Sequence, residues 1–521
     1  MSAGPPSVPP TVYGRVIGIT LFGVEGRPVA VEAHVARGLP ALVLTGLPGA
    51  TVSDARDRVR AAVENAGLEW PLRRIVVNLA PANLRKEGPG MDLAVAMGVL
   101  AASAQVPRDR LMRLAFFGEL SLRGDLLPTP GVLSAAIAAA RAGLEGIVVP
   151  EANAREAGLV EGLRVVGAPR LADAVGFLRG SWRPGPVPPP APAREPVGVD
   201  LAEVRGQDRA RRALEVAAAG GHNVLLVGPP GAGKTMLARR LPTILPPLSR
   251  EEALEVTQLH SVAGLLGGGD LVGARPFRAP HHSISTPGLL GGGSAVLRPG
   301  EVSLAHHGVL FLDELNEFRR DAIEALRQPL EDGRVVVTRA GGAVAFPARF
   351  TLAAAANPCP CGYEGDARRA CRCPPNRVEA YRQKLSGPLL DRIDLRLVVP
   401  RLSKQELLGS SAGEPSSAVR DRVAAARERQ RRRYASLGVP CNAQLPGPLA
   451  RREAHLSASA ESLLASAVDS LALSGRGFDR ALKVARTIAD LAGSDRVEAD
   501  HLAEALSYRA PVGEGELARA G

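Results

Sequence analysis

The run GPPGAGKT at residues 228–235 constrains the fold more than any other feature of this chain. It follows a predicted buried strand, HNVLLV at residues 222–227, and precedes a helical pattern from Met236, the strand–turn–helix context that a phosphate-binding loop requires. Its glycines let backbone N–H groups converge on phosphate oxygens, and the helix start adds the positive end of its dipole. The run predicts an α/β nucleotide-binding domain. We expect the nucleotide to contact Gly228, Pro229, Pro230, Gly231, Ala232, Gly233, Lys234 and Thr235.

Polar residues around this loop are predicted to carry the chemistry. Lys234 can reach the β- and γ-phosphates, and the Thr235 hydroxyl can ligate Mg²⁺. Downstream, VLFLDEL forms a predicted strand at residues 309–312 that ends in Asp313 and Glu314. Asp313 is placed to hold Mg²⁺, directly or through water, and Glu314 to polarise the attacking water. Many strands end in acids, so this prediction depends on the phosphate-binding loop upstream.

The chain divides at a proline-rich segment, since seven of the thirteen residues at 184–196 are proline. In the N-terminal part, residues 74–79 and 146–149 are predicted strands. Helices are predicted at 53–66 and 133–142. After the linker, helices are predicted at 207–219 and from 236–241, and Pro242 and Pro246 interrupt or end the second of them. Strands are predicted at 222–227, 309–312 and 350–355. Strands that alternate with helices in this way predict a parallel sheet. From about residue 402 the pattern is helical, with helices predicted at 404–408, 417–436, 460–473, 477–492 and 499–508.

Composition sets broad limits. The 521 residues are 45% hydrophobic and 22% charged, which excludes global disorder. No apolar stretch reaches membrane-spanning length and the N-terminus has no export signal, so we expect a cytoplasmic protein without a membrane partner. The net charge of +11 suits a polyanionic partner, but it also fits a composition bias towards Arg, since the chain has only five Lys. Aromatic residues make up 3%, which disfavours an extended base-stacking platform.

Four of the five cysteines, Cys359, Cys361, Cys371 and Cys373, form the pattern CxC-x₉-CxC. Four thiolates can hold a structural Zn²⁺. The C-x-C spacing is tighter than the more common C-x₂-C, so four reduced thiols in a loop remain the alternative.

Other segments have two interpretations each. Residues 333–347 predict a β-hairpin turning at Gly341 and Gly342, with Arg339 near its tip as a candidate DNA contact; an ordinary solvent-exposed hairpin is the alternative. The pairs His281–His282 and His306–His307 favour structural roles, because neighbouring strand residues point to opposite faces. The Arg-rich run at 427–434 is predicted to be a solvated helix face, with lid or DNA contact as the alternative.

These segments together resemble the magnesium-chelatase-like branch of AAA+ ATPases and, more closely, the ComM (YifB) family of competence-associated ATPases. The matching segments are VNLAPANLRKEG (77–88), FGELSLRGDLLPTPGVL (117–133), GPPGAGKT (228–235), RPFRAPHHSIS (275–285), HHGVLFLDELNEF (306–318), NPCPCGY (357–363), SGPLLDRIDL (386–395) and GRGFDRALKVARTIADLAG (475–493).

The resemblance implies an ATP- and Mg²⁺-dependent motor, usually a hexameric ring. It further implies a helicase that drives branch migration of single-stranded or branched DNA during transformation and recombination. Asn357 corresponds to the sensor-1 position beside the γ-phosphate, where it would orient the water. Arg392 corresponds to the arginine finger given in trans, and Arg480 to the sensor-2 residue on the lid. In this AAA+ branch, the hairpin that carries Arg339 projects into the ring pore. The predicted division is residues 1–180, a linker at 181–200, an ATPase core with the four-Cys insert at 201–400, a helical lid at 401–510 and a tail at 511–521.

Residues 77–133 also resemble the Lon protease fold. Lon-type proteases need a Ser nucleophile and an activating Lys. In this sequence Gly90 and Leu133 occupy the corresponding places. We therefore expect a Lon-like α/β domain without proteolysis, acting either as a scaffold or as a guide for DNA.

Two alternative functions follow. The first is a metal-insertion ATPase that works with a chelatase partner, because the motor subunits of such chelatases resemble residues 200–510. Those subunits are expected to lack both the N-terminal domain and the cysteine cluster, which favours the ComM family. An ATP-dependent protease is disfavoured by the missing Ser and Lys.

Overall fold

The computed structural model describes residues 13–46, 54–84, 86, 88–189, 198–293, 297–339, 342–366, 368–385, 387–404, 413–470 and 473–509. Within these residues, no helix is long and apolar enough to cross a membrane.

The N-terminal part is built on a seven-stranded mixed sheet with the order β3-β4-β2-β1-β5-β8-β9. In this part, β6 and β7 form a separate two-stranded pair. The strands are β1 (Tyr13–Phe22), β2 (Glu25–Ala36), β3 (Ala41–Thr45), β4 (Arg74–Ala80), β5 (Leu114–Phe116), β6 (Glu119–Leu120), β7 (Leu126–Leu127), β8 (Gly146–Pro150) and β9 (Arg164–Ala168). The helices are α1 (Ala55–Asn65), α2 (Asp92–Ala102), α3 (Val132–Arg141), α4 (Ala154–Ala157) and α5 (Leu171–Arg179). Every residue of α2 is buried, because this helix packs on β1 and β2 and against α1.

The predicted parallel sheet after the linker is confirmed, with five parallel strands in the order β11-β14-β17-β10-β18. The strands of this part are β10 (Val224–Val227), β11 (Phe277–Arg278), β12 (Gly291–Gly292), β13 (Arg298–Pro299), β14 (Val309–Leu312), β15 (Arg334–Arg339), β16 (Gly342–Pro347), β17 (Thr351–Ala356) and β18 (Leu395–Val398). The helices are α6 (Asp208–Gly220), α7 (Lys234–Ile244), α8 (Arg250–Ala263), α9 (Thr286–Leu290), α10 (Glu301–Leu304), α11 (Arg320–Ala325), α12 (Arg327–Asp332), α13 (Pro375–Arg382) and α14 (Gly387–Leu390). The central strands are apolar because both faces of the sheet are covered.

The prediction that Pro242 interrupts the helix after the phosphate-binding loop is wrong. Helix α7 continues through Pro242 to Ile244 and ends where Leu245 becomes extended, directly before Pro246. Pro242 removes one backbone hydrogen bond to the residue four positions earlier, a loss that the helix tolerates, whereas Pro246 disfavours helical backbone at the residue before it.

The C-terminal part is helical, as predicted. Its helices are α15 (Ser416–Arg433), α16 (Gly447–Glu453), α17 (Ala458–Ser470), α18 (Gly475–Leu491) and α19 (Ala499–Ser507). The sequence did not predict α16, and most of the helix predicted at 404–408 lies outside the described residues. The Arg-rich run ends α15, where Arg433 is paired with the buried Asp490 while Arg431 and Arg432 are largely exposed.

The N-terminal sheet contacts the part of the chain that carries the five-stranded parallel sheet, through the turn between β1 and β2. Phe22 and Val24 pack in one apolar cluster with Leu259 of α8 and with Val344 and Phe346 of β16. The side-chain amide of Gln258 donates to the Val24 carbonyl at 2.7 Å. One face of the β15–β16 hairpin, including Val344 and Phe346, is therefore packed against the turn between β1 and β2.

Candidate active site

The phosphate-binding loop lies between β10 and α7, as the sequence predicts. Gly231 and Gly233 have φ angles of +78° and +89°, the left-handed region that favours glycine. A Cβ atom at Gly228 would lie 2.2 Å from the Val399 carbonyl oxygen, so the close approach of these two backbone segments requires glycine at residue 228. Helix α7 begins at Lys234, directly after the loop.

Lys234 is buried, and its ammonium group donates to three oxygens. The acceptors are the carbonyls of Gly228 (2.6 Å) and Pro229 (3.0 Å) and Oδ1 of Asn357 (3.2 Å). Burial lowers the pKa of Lys234 to about 8, although Asp313 and Glu314 favour the charged form. Asn357, which directly follows β17, and Lys234, which directly follows the glycines of the loop, thus meet at the same point.

Asp313 links the loop to β14. Thr235 Oγ1 donates to one oxygen of the Asp313 carboxylate at 2.7 Å, and the Glu314 backbone N–H donates to the other at 3.0 Å. Glu314 has a φ of +52°, which is uncommon for a residue with a Cβ, and its side chain is exposed. Oxygen ligands of this kind suit Mg²⁺, so the residues present fit that ion.

Most of the predicted nucleotide-site residues line one open cavity of about 450 Å³ at the carboxyl end of the sheet, whereas Gly228 and Pro229 are not among its lining residues. Its lining is Pro230, Gly231, Ala232, Gly233, Lys234, Thr235, Met236, Asp313, Glu314 and Asn357.

A histidine that the sequence assigned to a structural role lies against this site. Nδ1 of His282 is 3.5 Å from Oε2 of Glu314, and both residues line an adjoining cavity of about 310 Å³ with Arg239. Strand β11 pairs with β14, so the segment after β11 reaches the acids that follow β14. No local sequence signal could identify this contact, because it depends on the strand order.

Arg392 and Arg480 do not line the nucleotide cavity. They line a separate cavity of about 600 Å³, together with Asn223, Phe350 and Asp394. These three residues directly precede the starts of β10, β17 and β18, respectively. In parallel strands these starts meet at the amino end of the sheet, whereas the phosphate-binding loop is at the carboxyl end. The two arginines therefore face away from the nucleotide cavity of their own chain.

Both arginines are held by acids. Arg392 is buried, pairs with Glu331 and donates to the Pro388 carbonyl at 2.6 Å. Arg480 pairs with Asp394, which is also 3.1 Å from Nδ1 of the buried His222. Burial raises the pKa of Asp394, but Arg480 and His222 outweigh it and hold that pKa well below its usual range.

The four predicted zinc ligands lie together. The sulfur of Cys359 is 3.4 Å from that of Cys361 and 3.6 Å from that of Cys371, and all four sulfurs lie within 4.8 Å of one another. A tetrahedral site with zinc–sulfur bonds of about 2.3 Å needs sulfurs about 3.8 Å apart. Burial raises the pKa of Cys361, but backbone N–H groups, first that of Arg372, outweigh it and lower that pKa to about 6. The residues present therefore fit Zn²⁺.

His306 and His307 have a different environment. The prediction placed them on a strand with side chains on opposite faces, but they lie in a turn and both contact Oε2 of Glu255, at 2.9 and 2.8 Å. Nδ1 of His306 accepts the Arg349 backbone N–H, so Nε2 carries the proton and donates to Glu255. Both nitrogens of His306 are thereby engaged, which favours a structural role over metal binding.

The hairpin forms with Arg339 as the last residue of β15, opposite Gly342 of β16. Gly342 therefore belongs to the second strand, although the sequence predicted a turn there; Gly341, the other predicted turn residue, lies outside the described residues. Val335 and Phe346 are buried on the inner face, and Val336 is exposed on the outer face.

The position of the Lon-type nucleophile is filled. A Cβ atom at Gly90 would lie 2.3 Å from the ring of the buried Phe117, so a larger side chain has no room there. Leu133 is buried at the start of α3, where its backbone N–H donates to Glu156 at 2.8 Å.

Three family models match the chain. The model described as magnesium chelatase, subunit ChlI, matches residues 200–407, and its C-terminal model matches 413–509. A model described as subunit ChlI of Mg-chelatase matches residues 31–153.

Several relatives match over different extents. The YifB protein of Escherichia coli (strain K12) is 45% identical over 94% of this chain and 95% of its own length. Competence protein ComM of Haemophilus influenzae is 44% identical over 96% of this chain and 97% of its own length. Lon protease of Geobacter metallireducens is 28% identical over 38% of this chain and 24% of its own length.

Proposed function

The chain belongs to the ComM/YifB family of magnesium-chelatase-like AAA+ ATPases, and on this basis we propose that it is an ATP-driven motor that moves branched or single-stranded DNA in the cytoplasm. It would work as a ring, most simply a hexamer. Domain boundaries near residues 180, 200, 400 and 510 belong to the same proposal.

The separation between the nucleotide cavity and the cavity lined by Arg392 and Arg480 is the observation that supports a ring. Glu314 and Lys234 lie at the carboxyl end of the parallel sheet, and Arg392 and Arg480 line a cavity at its amino end. Since these arginines do not line the nucleotide cavity of their own chain, we propose that they stabilise the phosphates bound by a neighbouring subunit. This separation supports assignment of both arginines to action in trans.

The residues of the nucleotide cavity have separate tasks in the proposed hydrolysis. Lys234 would exchange its carbonyl acceptors for the β- and γ-phosphate oxygens of ATP. Thr235 and Asp313 would hold Mg²⁺, which supplies charge neutralisation on the phosphates. Glu314 would accept the proton of the attacking water, and Asn357, 3.2 Å from Lys234, would orient that water.

Three observations support DNA as the substrate. The relative that covers 96% of the chain is named a competence protein, the chain carries a net charge of +11, and the hairpin with Arg339 next to its turn is packed against the N-terminal sheet. We propose that the hairpin contacts backbone phosphates, because 3% aromatic residues provide few stacking surfaces. Binding should then tolerate any sequence and weaken steeply with salt.

The ATPase rate of the full chain with and without a synthetic four-way junction tests this proposal. A motor that moves DNA should hydrolyse ATP several-fold faster with the junction at low salt, and the stimulation should fall as salt rises. Equal rates with and without every DNA substrate would contradict it.

A metal-insertion motor is the second candidate, and the matches to ChlI models over three segments favour it. ATP hydrolysis would then respond to a chelatase partner and not to DNA.

We also infer that Cys359, Cys361, Cys371 and Cys373 bind one structural Zn²⁺. Their sulfur separations support this inference. Elemental analysis of protein prepared without chelators should find about one zinc per chain.

A further inference from the structure

The four-cysteine loop begins at the nucleotide site itself. Strand β17, which ends at Ala356, pairs with β10, and the Gly228 backbone N–H donates to the Ala356 carbonyl at 3.2 Å. Asn357, the next residue, accepts a hydrogen bond from Lys234, and Cys359 follows two residues later. The first zinc ligand is therefore close in sequence and in space to the phosphate-binding loop.

The loop also contacts Pro230, an exposed residue of the phosphate-binding loop. Gly362, with a φ of +82°, approaches so closely that a Cβ there would lie 2.6 Å from Pro230 Cδ. Arg401 donates to the Pro230 carbonyl at 3.0 Å. That arginine pairs with Asp366 at 3.1 Å and lies over the Tyr363 ring, so two residues of the cysteine loop hold it in place.

The cysteine loop is held mainly by side-chain contacts, such as Arg382 with Glu364 at 2.7 Å and Arg368 with the Leu402 carbonyl at 3.0 Å. Residues 357–366 and 368–374, the part of it that the structure describes, contain no helix or strand. Within it, backbone hydrogen bonds join Gly362 to Cys359 and Asp366 to Tyr363. A long loop without regular structure loses much conformational freedom on ordering, and a metal bound to four thiolates can offset that loss.

We propose that the metal-bound cysteine loop braces the phosphate-binding loop, so that nucleotide affinity depends on an ion that never touches the nucleotide. The ion fixes Gly362, Tyr363 and Asp366, and these residues fix Pro230 directly and through Arg401. Loss of the ion releases Pro230 and lowers the affinity for ATP. The proposal rests on the zinc site and on ATP binding proposed above, and is independent of DNA as the substrate.

The test compares full-length variants by zinc content and by equilibrium affinity for a fluorescent ATP analogue. Wild type should hold about one zinc per chain. The double variant Cys371→Ser, Cys373→Ser should hold none and bind the analogue about tenfold more weakly. Cys441→Ser is the matched control, because this buried fifth cysteine lies outside the cluster, and it should keep both zinc and affinity.

Two further variants keep all four cysteines. The added methyl group of Gly362→Ala should displace Pro230, and Arg401→Gln should remove the hydrogen bond to the Pro230 carbonyl. Both variants should retain zinc but bind the analogue several-fold more weakly. Absence of zinc from the wild type would overturn the metal site and the brace together. Wild-type affinity in the zinc-free double variant would overturn the brace alone. If that double variant does not fold, wild-type affinity in both Gly362→Ala and Arg401→Gln would overturn the brace.

Discussion

Raising the pH through about 8 should weaken ATP binding, because burial lowers the pKa of Lys234 to about 8. Only the protonated ammonium attracts phosphate, and bound triphosphate raises the pKa of the lysine. The complex then holds more protons than the free protein, so affinity falls as pH rises. With a pKa of about 8, the protonated fraction falls about 25-fold between about pH 7.5 and about pH 9.5, or about 2 kcal/mol in binding free energy.

The assay is the equilibrium affinity for a fluorescent ATP analogue at saturating Mg²⁺ across that range. Lys234→Arg is the control, because a guanidinium stays protonated throughout and its binding curve should be flat whatever its absolute affinity. A wild-type curve as flat as that of Lys234→Arg would refute the reasoning, since it would mean that Lys234 keeps an ordinary pKa or does not contact the phosphates.

Other predictions address catalysis, the ring and stability. Glu314→Gln should bind ATP normally but hydrolyse it at least about 10²-fold more slowly, since the water loses its base; single-turnover kinetics measures this. Arg392→Ala should lose about 10³–10⁵ in rate with little change in nucleotide affinity, and mixing it with Lys234→Ala subunits should restore part of the activity if sites form between subunits. No recovery in mixed rings would count against action in trans. Asp394→Ala should lower the free energy of unfolding in urea by about 3–5 kcal/mol, because Arg480 would lose its buried partner.

The sequence could predict features that depend on neighbouring residues. The phosphate-binding loop, the strand ahead of Asp313 and the strand ahead of Asn357 carry local signals: glycine spacing, apolar runs and polar residues at their ends. The meeting of these side chains then follows from the parallel sheet, because carboxyl ends of parallel strands share one edge. Fold class was accessible for the same reason.

Features set by strand order or by distant packing could not be predicted. His282 contacts Glu314 only because β11 lies beside β14. Arg392 and Arg480 share a cavity at the amino end of the sheet, which no spacing between them reveals. The contact of Gly362 with Pro230 likewise joins two loops that are distant in sequence.

A motor that moves DNA should convert a labelled four-way junction into its duplex products at the expense of ATP. The wild type should convert the junction with hydrolysable ATP, and Glu314→Gln should not. Arg339→Ala should slow conversion more than it slows basal ATP hydrolysis, because the proposed DNA contact is separate from the nucleotide cavity. A wild-type protein that hydrolyses ATP but neither binds nor remodels any DNA at low salt would contradict the account and favour the metal-insertion motor.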